Sequence, residues 1–311
     1  MRRELGAAWA LLGLVVLLSA ATRAFGGGDF LSVGNLTNIL AQVCVTAVLA
    51  AGASFVIFGG GIDLSIGSLL AVSAALAAGA LKADWPVPLA CAAGVLTGAA
   101  FGAANGVLVA WLGLPPFIAT LGMMGIARGC TYVYLGGAPL FSFPASFRLL
   151  SEGRLAGIPA PVIVMGAVFG LGSLILARTR FGRAVYALGG NEEAARLSGI
   201  PVRRLKASLY VAGGAAAGLA GILLAARLDS AEPQAGDGYE LDAIAAVVMG
   251  GASLSGGVGT IGGSLVGALI MGVVRNGLNL LNVSSHWQKV AIGGIILAAV
   301  LFDVMRRRRQ S

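Results

Sequence analysis

The stretch that decides the fold reads VPLACAAGVLTGAAFGAANGVLVAWL, residues 87–112. It carries no charged side chain, and a helix needs about 20 apolar residues to cross the hydrocarbon core of a bilayer. Gly94, Gly98, Gly102 and Gly106 recur at every fourth position, which places them on one face of a helix. The stretch therefore predicts a membrane-spanning helix whose glycine face allows close approach of another helix. The alternative is that a chain rich in alanine and glycine shows this spacing by chance.

The composition of the whole chain agrees with a lipid environment. Hydrophobic residues make up 58% of the chain and charged residues 11%, with a mean hydropathy of +0.91. A soluble domain carries about a quarter charged residues. The net charge of +8 does not indicate a nucleic-acid partner, because the basic residues lie at boundaries between apolar stretches. One histidine, and three cysteines without a Cys-x-x-Cys spacing, give little basis for a metal site or disulfide framework, and no cofactor is expected.

The same criterion of apolar length predicts about ten membrane-spanning helices, in a single domain that covers residues 1–311. The first apolar run could instead be a cleaved signal peptide, but its length and the membrane segments that follow favour a span. Two regions, 59–68 and 250–260, contain too many breaks for regular helix. The predicted spans are 6–24, 36–58, 64–81, 87–112, 115–135, 161–177, 206–226, 241–251, 261–276 and 288–305.

Arginine and lysine residues predict the orientation. They cluster at Arg2 and Arg3, in the loop 178–206, and at Arg306 to Arg309. Because basic loops remain on the cytoplasmic side, we expect both termini and this loop to face the cytoplasm. The predicted loops on the other side carry fewer basic residues and collect acids, namely Asp229, Glu232, Asp237 and Glu240.

Two stretches far apart in the chain resemble each other. Residues 57–70 read IFGGGIDLSIGSLL, and residues 248–266 read VMGGASLSGGVGTIGGSLV. Transporters are often built from two related halves with interrupted helices at corresponding positions, so the pair predicts two broken or re-entrant segments and a pseudo-repeat. The alternative is that Gly-Ser turns between helices simply look alike.

The loop between the sixth and seventh predicted spans contains FGRAVYALGGNEEAARLSGIPVRRLKAS, residues 181–208. Asn191 is a suitable N-cap, Glu192 and Glu193 fall in the first turn, and Gly199 ends a helix of about two turns. A helix this short is marginal in water, so we expect it either to dock on a partner or to lie on the membrane surface. The chain has no Gly-Lys-Ser/Thr sequence for binding nucleotide phosphates, so it is not expected to hydrolyse ATP itself.

The string GGNEEAARLSGI resembles the cytoplasmic coupling segment of permeases from bacterial importers for ribose and other monosaccharides, which belong to the ATP-binding-cassette (ABC) class. GGGIDLSIGS and YELDAIAAVVMGGASLSGGVGTIGGSLVGALIMG resemble the same family in the same order, so the likeness covers nearly the whole chain. Permeases of branched-chain amino-acid importers are relatives with a similar loop.

This resemblance implies a homodimer in lipid, a cytoplasmic ABC ATPase, and a periplasmic or extracellular solute-binding protein. On this view Asn191 to Ile200 form the coupling helix that sits in a groove of the ATPase. Its implied polar contacts are Glu192, Glu193 and Arg196, its packing residues Ala195 and Leu197, and its end Ser198 and Gly199.

Polar residues inside apolar stretches are candidates for the translocation pathway, because polar groups at membrane depth are costly unless they face a cavity or other protein. Asp63 and Ser65 could instead do no more than cap a helix. Arg128 is expected to extend its side chain to the outer interface. The candidate pathway residues are Asp63, Ser65, Ser68, Asn105, Ser253 and Ser255.

Together these features predict an all-α polytopic permease of the inner (plasma) membrane. It would form the pathway of an ABC importer for a small polar solute, with a monosaccharide favoured over an amino acid, a nucleoside or an autoinducer. A secondary transporter driven by an ion gradient is the first alternative, although it needs charged residues in mid-span and this chain has few. A channel or a membrane-embedded enzyme is the second, but no paired catalytic groups are present.

Overall fold

The computed structural model describes residues 2–26 and 28–308, which form thirteen helices and four strands of two residues each. The helices are α1 (Arg2–Ala24), α2 (Val33–Phe58), α3 (Ile66–Lys82), α4 (Val87–Ala110), α5 (Pro116–Leu135), α6 (Ala145–Glu152), α7 (Ala160–Arg178), α8 (Arg180–Gly190), α9 (Glu192–Leu197), α10 (Val202–Leu228), α11 (Tyr239–Met249), α12 (Ile261–Leu280) and α13 (Ser285–Arg308). The strands are β1 (Leu140–Phe141), β2 (Arg154–Leu155), β3 (Ile158–Pro159) and β4 (Ser230–Ala231).

Each of the ten predicted spans corresponds to one helix, with ends that differ by at most a few residues. The largest differences are at the start of α1, at Arg2 rather than 6, at the start of α10, at Val202 rather than 206, and at the end of α12, at Leu280 rather than 276. In the described part, six helices are long and apolar enough to cross a membrane, namely α1 from Gly6, α2, α4, α7, α10 and α12. Arg309, which belongs to the carboxyl-terminal basic cluster, lies outside the described residues.

The predicted all-α class is correct except for the strands, which tie loops together at one end of the helix bundle. β1 pairs antiparallel with β4, and β2 pairs antiparallel with β3. Next to the first pair, Lys82 donates a hydrogen bond to the carbonyl of Ser142 (3.1 Å). We call this the α6 end of the bundle, because α6 lies between β1 and β2 and packs on α10.

The predicted glycine face of α4 is confirmed, and its partner is α10. A Cβ atom at Gly98 would overlap the backbone of Gly214, and one at Gly106 would lie 2.8 Å from Cα of Ala207. The contact between α4 and α10 is the most extensive in the described part. Chance spacing of glycines does not explain such a contact, because small residues are found where backbones approach closely.

Burial follows the pattern of a protein that is dissolved in lipid. Helices α2, α3 and α10 form the centre, and most of their side chains are buried all round. The outer helices bury narrow stripes and present apolar side chains such as Leu96, Val133 and Leu171 to the surroundings. A surface this apolar would not remain dispersed in water.

Two interruptions lie between helices, as the sequence predicts. The first break, 59–65, separates α2 from α3, and the second break, 250–260, separates α11 from α12. The two breaks touch, because a Cβ atom at Gly256 would lie 2.7 Å from Cα of Gly60. The backbone N–H of Gly257 also donates a hydrogen bond to the carbonyl of Phe58, the last residue of α2 (2.9 Å). Helices α8 and α9 lie against them, so we call this the α9 end of the bundle.

Candidate functional site

The short helix α9 has the predicted cap and stop. The side-chain oxygen of Asn191 accepts a hydrogen bond from the backbone N–H of Ala194 (2.9 Å), which satisfies one of the free donors of the first turn. Gly199 ends the helix with a φ of +81°, a conformation that glycine adopts without strain. The helix itself is six residues long.

Ion pairs hold α9 on the surface of the chain. Arg196 lies 3.3 Å from both Glu192 and Glu193, and Lys206 at the start of α10 lies 2.7 Å from Glu192. The hydroxyl of Ser198 donates to the carbonyl of Ala194 (2.8 Å). These exposed pairs contribute little free energy singly, but together they orient the helix.

The predicted packing residues of α9 lie on opposite faces. Ala195 is buried inside the chain, whereas the side chain of Leu197 is 82% exposed. Glu193 and Arg196 are also exposed. The outward face of α9 is thus one large apolar side chain flanked by charges of both signs, which is suited to docking on a protein surface.

Helix α8, which precedes α9, was not predicted. Thr179 caps it by accepting from the N–H of Gly182 (3.1 Å), and Val185 and Leu188 face the core. Thr179 and the spacing of the two apolar residues are the signals in the sequence, but the helix is short and ends in two glycines. Burial raises the pKa of Tyr186, whose hydroxyl donates to the carbonyl of Gly259 (2.9 Å) in the second break.

Where α8 ends, it meets both breaks through glycines. We define the glycine junction as Gly60 of the first break, Gly189 and Gly190 of α8, and Gly256 and Gly257 of the second break. A Cβ atom at Gly189 would overlap the carbonyl of Phe58, and one at Gly257 would lie 2.9 Å from Cα of Gly190. One at Gly256 would lie 2.7 Å from Cα of Gly60. The chain segment that leads into α9 is therefore in direct backbone contact with both interrupted regions.

The predicted serines of the second break belong to this end of the bundle. Ser253 is buried, and its hydroxyl accepts from the N–H of Ser255 (3.2 Å). Ser255 lines a cavity of about 220 Å³ beside the junction, together with Glu192, Lys206 and Tyr210.

Three of the predicted pathway residues form one buried cluster. A carboxylate oxygen of Asp63 accepts from the N–H (2.8 Å) and the hydroxyl (2.6 Å) of Ser65, and the Asn105 amide donates to that hydroxyl (2.8 Å). The second oxygen of Asp63 and the carbonyl oxygen of Asn105 are buried without a hydrogen-bond partner in the described part of the chain. Ser68 is buried one turn further along α3. The side chain of Ser65 makes no cap bond for α3, so capping alone does not account for the cluster.

The structure gives two polar features partners that the sequence did not predict. Arg128, which is expected to extend to the outer interface, donates its guanidinium to the carbonyls of Pro233 (2.7 Å) and Ala235 (2.8 Å) in the loop before α11. Asp242 of α11 and Arg275 of α12 form an ion pair, with Asp242 almost fully buried. Asp242 and Arg275 each place a charge inside a predicted span, and this was the signal in the sequence that they need a partner.

Nearly the whole chain is similar to known transport permeases. The family described as "Branched-chain amino acid transport system / permease component" matches residues 35–300. The ribose import permease protein of Escherichia coli (strain K12) is 48% identical, over 97% of this chain and 96% of that protein. The ribose import permease protein of Bacillus subtilis (strain 168) is 46% identical, over 97% of this chain and 92% of that protein. The D-allose transport system permease protein of Escherichia coli (strain K12) is 41% identical, over 95% and 92%. No solved structure matches the chain.

Proposed function

We propose, from the premise that the chain belongs to the family of branched-chain amino acid transport system permease components, that it is the membrane subunit of an ATP-driven monosaccharide importer. The observation that carries this proposal is full-length similarity, at 48% identity, to a ribose import permease. An identity this high over the whole chain indicates a common fold. The chain is a multi-pass inner-membrane protein and not an enzyme.

The proposed topology has ten spans, formed by α1 to α5, α7 and α10 to α13. Helices α6, α8 and α9 then lie outside the bilayer. Both termini and the loop 178–206 face the cytoplasm, in agreement with the basic clusters. On this assignment the α9 end of the bundle is cytoplasmic and the α6 end is external, where a solute-binding protein would dock.

The proposed coupling element is α9, with a cytoplasmic ABC ATPase as its partner. The exposed side chains of Leu197, Glu193 and Arg196 supply the contact. The remaining residues hold the helix in place: Asn191 caps it, Glu192 pairs with Lys206, Ala195 anchors it inside, and Ser198 and Gly199 end it. Movement of α9 would reach both breaks through the glycine junction, as in an alternating-access scheme.

The proposed pathway uses the polar groups of the two breaks. Asp63, Ser65, Ser68 and Asn105 lie on the side of the first break, and Ser253 and Ser255 on that of the second. Two copies of the permease would enclose the route, because polar groups at membrane depth need protein or water beside them.

One observation supports the alternative of an ion-driven secondary transporter. The carboxyl group of Asp63 is buried, and it has no cationic partner in the described part of the chain. Such a group could carry a proton. Full-length similarity to import permeases favours the ATP-driven scheme.

Reconstitution tests the proposal. In proteoliposomes that contain the permease, its ATPase and the binding protein, ribose or allose uptake should require ATP and should persist when ionophores collapse ion gradients. The permease alone should neither hydrolyse ATP nor accumulate sugar. Uptake by the permease alone, driven by an imposed proton or sodium gradient, would establish the secondary transporter instead.

A further inference from the structure

We propose that a second polar cavity, between α2, α11 and α12, is a binding subsite for a neutral polyhydroxylated solute; the inference rests on the proposed function as a monosaccharide importer. The cavity has a volume of about 260 Å³. Ordinary small-molecule sites run from about 300 to 1,000 Å³, so this one suits a solute as small as a monosaccharide. Its polar lining comes from Gln42 and Thr46 of α2, Tyr239 and Asp242 of α11, and Arg275 of α12.

Part of the cavity lies within the span proposed for α2. Gln42 and Thr46 are one turn apart on α2, so they share a face. Thr46 precedes the end of α2 at Phe58 by a little over three turns, about 18 Å at 1.5 Å per residue. The cavity is thus well separated from the glycine junction and from the Asp63 cluster, and it lies nearer the α6 end.

A charged pair forms one wall of the cavity. The guanidinium of Arg275 donates to the carboxylate of Asp242, and it also lies over the ring of Tyr239, 5.9 Å from the ring centre. The Asp242 side chain is 7% exposed and that of Arg275 is 34% exposed. Arg275 and Tyr239 both line the cavity, and a guanidinium beside a tyrosine ring is a combination that can bind hydroxyl groups and the apolar face of a sugar ring.

The other wall carries hydrogen-bonding groups that the chain itself does not use. Within residues 2–26 and 28–308, the side chains of Gln42 and Thr46, which both line the cavity, make no hydrogen bond or ion pair. Lipid cannot satisfy these groups, and an unpaired amide or hydroxyl in an apolar medium costs several kcal/mol. Water or a solute rich in hydroxyl groups can satisfy them.

The apolar floor restricts the class of solute further. Val43, Ala268 and Met271 contribute apolar surface between the polar groups. Small-molecule sites typically combine an apolar lining with a few convergent polar groups that fix orientation. A polyhydroxylated ring offers donors and acceptors on its rim and C–H groups on its faces, which matches this arrangement.

The experiment uses the complete importer in proteoliposomes with ribose and allose as probes. The readout is the uptake rate at a saturating concentration of sugar-loaded binding protein. This condition is needed because the affinity of the binding protein sets the sugar concentration at which uptake is half-maximal. The double variant Gln42→Ala/Thr46→Val should lower this rate about tenfold, since each substitution removes one or two hydrogen bonds to the solute. It should also change the ratio of ribose to allose uptake, which a purely structural defect would leave unchanged.

The matched control is Thr97→Val. Thr97 lies on α4, outside the cavity, and its hydroxyl donates to its own helix at the carbonyl of Ala93 (2.8 Å). This variant should keep both the wild-type rate and the wild-type ratio. If the double variant prevents assembly with the ATPase, the test uses Tyr239→Phe, which keeps the ring and removes one oxygen. The readout is again the ratio of ribose to allose uptake.

The outcomes separate the two proposals. If the wild-type importer takes up neither sugar in the presence of ATP, the proposed function fails and the subsite fails with it. If the wild-type importer works and the cavity variants match it in rate and in sugar ratio, the subsite is overturned and the importer stands.

Discussion

Gly189 is the residue at which α8 meets both breaks, and its neighbour Gly190 is not constrained in the same way. A Cβ atom at Gly189 would overlap the carbonyl of Phe58 and the N–H of Gly257, whereas one at Gly190 would meet nothing within 4 Å. The obstacles at Gly189 are backbone atoms, which cannot change rotamer to make room.

This difference gives a matched test of the glycine junction. Gly189→Ala should push α8 away from the breaks and lower ATP-driven uptake at least tenfold, because overpacking shifts the backbone at a cost of about 1–3 kcal/mol. Gly190→Ala should retain wild-type uptake. Membrane insertion and ATPase copurification are measured alongside and should be normal for both variants. Equal uptake by the two variants would show that the junction does not couple α9 to the breaks.

Individual residues differ in how far the sequence alone predicts their roles. The cap at Asn191 and the stop at Gly199 are local, since each depends on neighbours within a few positions, and both were predicted. The pair Asp242–Arg275 joins two helices across 33 residues, and the contacts of Arg128 cross 105. Such partners depend on which helix faces meet, and periodicity within one helix does not contain that information.

At the scale of elements, the contact between α4 and α10 depends on the glycine face. Gly102→Ala would bring a methyl group against the carbonyl of Tyr210, with Cα of Gly214 at 3.2 Å. We expect it to destabilise the folded protein by about 1–3 kcal/mol, measured as a lower thermal midpoint in detergent. Gly170→Ala on α7 is the control, because nothing lies within 4 Å of its Cβ and alanine favours helix by up to about 1 kcal/mol. Unchanged midpoints for both variants would contradict the packing argument.

The exposed leucine of α9 tests the docking of this element. Leu197→Asp removes no substantial contact within the chain, so the permease should insert and fold normally. Copurification of the ATPase should nevertheless fall severalfold, because a carboxylate replaces apolar surface at the contact. Leu155→Asp, on β2 at the α6 end and also largely exposed, should leave copurification unchanged. A Leu197→Asp variant that retains its ATPase would remove α9 from the contact.

Elements also differ in predictability. The ten helices that match predicted spans follow from apolar stretches, which are a strong signal because lipid excludes charge and unpaired backbone. Helices α6 and α8 are short and carry charged residues, so they lack that signal, and the strands are two-residue pairings set by the loops they join.

At the scale of the whole molecule, the proposed orientation makes the two ends of the bundle differ in their accessibility from outside the cell. On a background with Cys91 and Cys130 replaced, Ser198→Cys on the α9 side and Ser146→Cys in α6 place single exposed thiols at opposite ends; native Cys44 is fully buried and stays. A membrane-impermeant maleimide applied to intact cells should label the cysteine at 146 and spare that at 198. The reverse pattern would invert the proposed topology, and lysed cells provide the control for reactivity.

The meeting of backbones at the glycine junction bears on how faithfully motion is transmitted. Where two elements touch through side chains, those side chains can change rotamer and absorb part of a movement before the backbone moves. At the glycine junction no side chain separates the backbone of α8 from that of the breaks. Packed protein interiors are hardly compressible, so the contact cannot shorten. A displacement of α9 of less than an ångström would therefore reach both breaks almost undiminished and at the same time.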